Sequence, residues 1–139
     1  MTTSFPAHFA RQYDSHLKHL KLKGLQPKTI DAYARAIRRL GAYFDYRIEA
    51  LTEAEQKGLV GEIEVLKLLF EAVGVKAALS SWMGPSGAPK DFELESDCIE
   101  VKARRGAARP FVKVSSEHQL SDVANRRLWL TVVDVDQVS

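Results

Sequence analysis

Residues 98–103 read Cys-Ile-Glu-Val-Lys-Ala, and that alternation constrains the fold more than any other stretch of the chain. Successive strand residues point to opposite faces, so Ile99 and Val101 share one face while Glu100 and Lys102 share the other, about 7 Å apart. Upstream, the segment Asp-Phe-Glu-Leu-Glu over 91–95 repeats the pattern, setting Asp91 and Glu93 opposite Phe92 and Leu94. If the two segments pair as an antiparallel hairpin through Ser96 and Asp97, Asp91 comes near Glu100 or Lys102 at one end of a sheet. Burying unpaired charge costs on the order of several kcal/mol. Such a strand either turns these charges to water or uses them for chemistry.

The elements around this strand follow from periodicity. Phe9, Tyr13, Leu17 and Leu20 line one face of a helix over roughly 6–23, stopped by Gly24. Pro27 suits the first turn of a second helix, whose stripe is Ile30, Tyr33, Ile37, Leu40 and Phe44. The two narrow stripes predict a helical hairpin. Lys28, Arg35 and Arg39, with Arg38 beside them, lie on the far side and predict a basic strip toward solvent. The polar stretch EALTEAEQKG is the expected boundary, dividing the chain into 1–57 and 58–139. Leu59, Ile63, Leu66, Phe70 and Val73 then mark a third helix closed by Gly74. GPSGAP, residues 84–89, is turn-rich and lacks the Gly-Lys-Ser/Thr ending of a nucleotide-binding loop. Strand patterns follow in DFELE, CIEVKA, FVKVS and RLWLTVVDV, with a helical turn expected within SSEHQLSDVAN. The order of the second half, helix, two or three strands, short helix, strand, predicts an α/β or α+β unit.

Composition narrows the function classes. A chain of 139 residues, 45% of them hydrophobic, buries one ordinary core or two marginal ones. No apolar run approaches the roughly 20 residues that cross a bilayer, and MTTSFPAHFARQY lacks the basic-then-apolar order of a signal peptide, so the expected location is cytoplasmic. The lone Cys98 excludes an internal disulfide and a cysteine zinc cage. Residues 1–47 hold nine lysines or arginines against three acids, whereas from residue 48 on the count is 11 against 15. The basic first half is a candidate for phosphate, with a solvated helical surface as the competing reading. His16 and His19, with no third ligand near in sequence, read as a solvated pair. Trp82 and Trp129 read as core or interface anchors.

Two carboxylates brought together repel unless a cation lies between them, and magnesium (or manganese) suits oxygen ligands. Asp91 and Glu100, with the backbone carbonyl of Val101, are the candidate metal ligands. Lys102 would orient a water or share the charge of a transition state, which is the chemistry of phosphodiester hydrolysis. Helical phase selects a further acid on the third helix. Glu62 lies beside Leu66, Leu69 and Val73, whereas Glu64 aligns with Lys67 and Glu71 on the wet side. Spacing alone is not specific, since Glu55-Gln56-Lys57 also fits acid-x-lysine. A plain salt-bridged sheet surface is the competing reading.

GLVGEIEVL, then W-x-GP-x-G-x-P-x-DF, then IEVKARRG, then VSSEHQL resemble a group of little-characterised bacterial PD-(D/E)XK-motif proteins of the restriction-endonuclease-like superfamily, over about residues 58–135. The resemblance implies an α-β-β-β-α-β core, with Asp91, Glu100 and Lys102 as motif residues, Glu62 as the added acid and Gln119 as an auxiliary. Lys90 occupies the place of the motif's proline. The chain ends right after the final expected strand, where members of this group continue.

The first half, HLKLKGLQPKTIDAYARAIRRLGAYF, is similar to the N-terminal SAM-like segment of phage integrases and other tyrosine recombinases, over about residues 6–55. Gln26 replaces the frequent serine before the proline. This likeness implies phosphate contacts by Lys28, Arg35, Arg38 and Arg39. The recombinase catalytic domain is absent. Lys102, Arg104, Arg105, Arg109 and Lys113 form a second basic run, placed to guide DNA. The expectation is therefore an α+β chain, a helical hairpin joined to a small nuclease-like unit, acting on DNA as a magnesium-dependent endonuclease. The alternative is a non-catalytic DNA-binding remnant of a phage integrase. DNA is the partner in both, with a homodimer left open.

Overall fold

A computed structural model describes residues 5–86, 88–105 and 112–135, and of Pro85 the backbone alone. Four helices precede a small sheet: α1 (Ala7–Leu22), α2 (Pro27–Tyr43), α3 (Glu53–Val73), α4 (Val75–Ser81), then β1 (Phe92–Glu93), β2 (Asp97–Arg104) and β3 (Arg127–Asp134). Short 3-10 turns lie at Ile48–Ala50, Gly84–Ser86 and Glu117–Gln119. The mixed α+β class is as expected. The strand order is β1-β2-β3, with β1 antiparallel to β2 in the register Phe92↔Ile99, and β3 parallel to β2 with Glu100↔Leu130. Among the described residues no helix is long and apolar enough to cross a membrane.

Each helix has a local reason for its bounds. Pro27 stands at the start of α2, where its missing N–H costs nothing. At the start of α3, Thr52 Oγ1 accepts from the Glu55 amide at 3.2 Å while Glu55 Oε2 accepts from the Thr52 amide at 3.0 Å, a reciprocal cap. The acid of the Glu55-Gln56-Lys57 triplet is thus spent on a helix end. Gly74 takes φ of 87°, a conformation open to glycine at little cost, and breaks α3 from α4. The expected boundary after residue 57 falls inside α3.

The core spans both halves of the chain. Ala32 and Ala36 of α2 join Val65 and Leu66 of α3, Ala78 and Leu79 of α4, and Trp82, Phe92 and Val101 in one cluster. Burying an aromatic such as Phe92 contributes roughly 1.5–3 kcal/mol. The buried residues of α2 are small and lie on two sides, Ala32 and Ala36 toward the main core and Ala34 and Gly41 on the other side, Gly41 against Phe9 of α1, while Ile30, Tyr33, Ile37, Leu40 and Phe44 are half-buried. Small side chains let α2 pack against both α1 and α4. α3 lies on β2, and a side chain at Gly61 would press on Ala103 Cβ at 2.9 Å.

Three expectations need correction. Val112, Lys113, Val114 and Ser115 are irregular and Phe111 lies outside the described residues, so FVKVS adds no strand to this sheet over 112–115. α4 has no counterpart in the sequence reading, because seven residues are too few to show a helical period. Of the two places read for Trp129, core or interface, the core is ruled out: it is 53% exposed on β3, with its indole N–H donating to Asp97 Oδ1 at 2.8 Å.

Candidate functional site

The site lies at the start of β1, at the residue just before it. Asp91 donates its amide to the Ile99 carbonyl at 3.1 Å, and its own carbonyl accepts from the Met83 and Gly84 amides at 2.7 and 3.1 Å. Before Asp91 the chain is not yet part of β1, so the next β2 amide on this edge, that of Val101, has no β1 partner. Asp91 supplies one: its Oδ2 accepts from the Val101 N–H at 2.8 Å. Because the N–H and C=O of one strand residue face the same edge, the Val101 carbonyl is turned toward Asp91 as well. Ile99 and Val101 meet the helical core, and Glu100 and Lys102 project from the opposite face.

That opposite face is not open to water. Glu100 is 2% exposed, and Lys102 Nζ lies 3.2 Å from its Oε1. The second Glu100 oxygen, Oε2, is buried with no hydrogen-bond partner. Lys102 is also held by Gln119, whose Oε1 accepts from Nζ at 2.7 Å and from the Ser115 amide at 3.0 Å. Gln119, the expected auxiliary, therefore touches the lysine itself.

Glu62 approaches from α3. Its Oε1 accepts from the Trp82 indole at 3.1 Å, and its carboxylate neighbours that of Asp91. Gly84 makes this possible, since any side chain there would run into the Glu62 carboxylate. Glu64 points away, exposed and paired with Lys67 at 3.0 Å, as the helical phase indicates. Burial, then the charge of Asp91, pushes Glu62 up to about 8, against the pull of the Trp82 hydrogen bond. Burial and then Asp91 push Glu100 up to about 7, with Lys102 opposing. Asp91 is raised by burial while the Val101 amide works against the shift. Three carboxylates thus crowd one half-buried spot and hold protons more tightly than free acids do.

A hard divalent cation fits this donor set by its chemistry. The orphaned Oε2 of Glu100 wants a positive partner, and Glu62 and Asp91 need a proton or a cation between them. Among the described residues no three acid, histidine or cysteine side chains form a ready-made cage, so an ion would complete its shell with water or other oxygens.

Lys90 is the residue that sequence reasoning missed. It is 2% exposed, and its Nζ donates to the His118 and Gln119 carbonyls at 2.7 and 2.5 Å. It pins the turn that presents Gln119 to Lys102, and its charge helps hold Glu100 ionised. The available signal was a lysine just before the acid of an apolar segment. A buried ammonium there must find acceptors.

The basic residues divide. Lys28 and Arg35 are exposed, and Arg35 lies 3.7 Å from Asp31. Arg38 and Arg39 do not form a strip toward solvent. They are half-buried, Arg38 donating to the Tyr13 hydroxyl at 2.8 Å and Arg39 to the Leu79 carbonyl at 3.2 Å, because α2 is packed on two sides. Arg104 pairs with Asp134 at 2.7 Å and Arg105 with Glu53. Arg109 lies outside the described residues.

Compared with known families, residues 9–139 match the DUF4420 family, whose description reads "Putative PD-(D/E)XK family member". No curated protein and no solved structure matches the chain. The hairpin that resembles an integrase segment falls inside this same match, so the comparison lends no support to a fusion with an integrase. With the match running from α1 through β3, acids and lysine included, the chain belongs to the DUF4420 family.

Proposed function

We propose that this protein hydrolyses phosphodiester bonds in DNA with the help of a divalent cation, magnesium or manganese. The observation that carries the reading is the convergence of Glu62, Asp91 and Glu100 on one half-buried spot beside Lys102, with one Glu100 oxygen left without a partner. Asp91 and Glu100 would hold the cation, with the Val101 carbonyl on the same side and Glu62 beside Asp91. When bound, such an ion stabilises charge on phosphoryl oxygens and makes a water more acidic. Lys102 has a separate task. Fixed by Gln119 and Glu100, its ammonium is held ready to meet negative charge developing on the phosphate, and a preorganised donor needs no rearrangement as the reaction proceeds. Lys90 positions Gln119 and so acts through Lys102. Membership of a PD-(D/E)XK-like family supports nuclease chemistry and DNA as substrate.

The test is nicking of supercoiled duplex DNA with and without magnesium. Lys102→Ala is expected to abolish the metal-dependent cleavage while circular dichroism and thermal unfolding show a folded protein. Equal activity in parent and variant ends the proposal.

One observation favours a second reading, a non-catalytic DNA-binding protein. Asp91 Oδ2 is committed to the Val101 amide and Glu100 Oε1 to Lys102, which is also how a purely structural acid cluster would be satisfied. That reading predicts salt-sensitive DNA binding that neither magnesium nor Lys102→Ala alters.

A further inference from the structure

α2 and α4 enclose a cleft of about 390 Å³, lined by Ala32, Arg35, Arg38, Arg39, Leu79 and Ser80. Three guanidinium groups therefore border one small space, and the acid beside them on α2, Asp31, is engaged with Arg35 at its exposed rim. Arg39 is the least satisfied of the three. Its Nη2 has only the neutral Leu79 carbonyl, its Nε is buried without a partner, and no carboxylate pairs with it among the described residues. Burial, then the charge of Arg35, lowers its pKa, which is the mark of a cation lacking its counterion. Arg38 is steadied from the other side by the Tyr13 hydroxyl. Ala32 leaves room at the base of the cleft, and the exposed Ser80 adds a hydroxyl donor on α4.

Planar guanidinium forks around a small space suit the oxygens of a phosphate, and among the described residues no carboxylate lines the cleft. We propose that this cleft binds a phosphate group, and that the phosphate belongs to the backbone of a nucleic acid. The second half of that statement rests on the nuclease reading above, whereas the first does not. α2 also packs on the turn Gly84–Ser86, whose Gly84 lies against the Glu62 carboxylate, so the helix lining the cleft borders the acidic site. A strand anchored there would be held on the same helix that flanks the reacting end.

The experiment uses the full chain carrying Lys102→Ala, so that DNA is not cut. Inorganic phosphate is titrated by thermal shift, and a labelled duplex is titrated by fluorescence anisotropy over a range of salt. Arg39→Gln and Arg35→Gln are compared with Lys102→Ala alone, the exposed Arg35 serving as the variant that keeps the fold. Each is expected to weaken duplex binding about 5–10-fold and to reduce the salt slope by about one, with the phosphate-induced shift lost. A phosphate shift that depends on these arginines alongside unchanged duplex binding rejects the nucleic-acid source and leaves a smaller phosphate compound as the occupant. No response of either probe to either variant overturns the site. Absence of metal-dependent nicking in the parent, with the arginine-dependent binding intact, defeats the nuclease reading and leaves the cleft standing.

Discussion

Two half-buried places in this molecule crowd charges of one sign, and they are unsatisfied in opposite senses. At the sheet end, Glu62, Asp91 and Glu100 gather around a lysine, and a buried acceptor, Glu100 Oε2, has no partner. Between α2 and α4, three arginines gather around a serine, and a buried donor, Arg39 Nε, has none. Ordinary surface charge is interspersed and solvated, as with Glu64 and Lys67. Unsatisfied buried groups of this kind call for an explanation, and on the readings proposed above each is completed by a counter-charge from outside. If the acidic place takes a cation and the basic place an anion, as proposed, the two together match what a metal-dependent phosphodiesterase must hold.

The sharpest break of this comparison is Asp91→Asn. It removes a candidate ligand but retains an oxygen that can accept from Val101, so folding should persist while the cleavage rate falls by about 10²–10³-fold or more. Calorimetric titration with manganese should show the weakened site directly, and unchanged affinity would falsify the assignment. Lys90→Met comes next. Losing the buried ammonium leaves two carbonyls unsatisfied and frees the Gln119 turn, at a cost of about 2–4 kcal/mol in urea unfolding. Cleavage should slow with cation affinity largely kept, because Lys90 works through Gln119 and Lys102.

Acidity separates the two places further. The folded pKa values of Glu100 and Glu62 lie above their ordinary 4.5, so the folded state binds protons that the unfolded chain has released. The stability these groups confer is complete below about 4.5 and is lost as pH rises through about 7 to 8. Without added cation, the unfolding free energy should fall by several kcal/mol, roughly 6 at most, between pH 5 and pH 8. Magnesium should flatten that slope, and a slope identical with and without it would argue that no cation enters. The smallest effect is that of Glu62→Gln, which removes one like charge. It should raise cation-free stability at pH 8 by about 1 kcal/mol, change little at pH 5, and weaken magnesium binding. Equal stabilisation at both pH values would show that Glu62 is not repelled by its neighbours.

Much of this was legible in the sequence, for reasons that also explain the gaps. α1, α2 and α3 run long enough for a 3.6-residue period to show, and the same period distinguished Glu62 from Glu64. Alternation placed Glu100 and Lys102 on one face, and the hairpin through Ser96 and Asp97 brought in Asp91. The buried alanines on the two sides of α2 were not visible, since alanine barely registers as apolar although it permits close packing. That omission turned Arg39 toward solvent in the sequence reading, whereas it is held on α4. Lys90 was read only as a replacement for proline. Its acceptors lie about thirty residues further on, a pairing that no local pattern encodes.

The parallel pairing of β2 and β3 carries a consequence for the order in which the protein is made. Residues between the two strands must travel back across the sheet, and they deliver Gln119 to Lys102 on the way. A chain made only as far as Lys102 already carries all three acids and the lysine, with Glu100 beside the ammonium, but not the Gln119 that also holds it. The two-sided hold on the Lys102 ammonium is thus complete only when the last fifth of the polypeptide is in place.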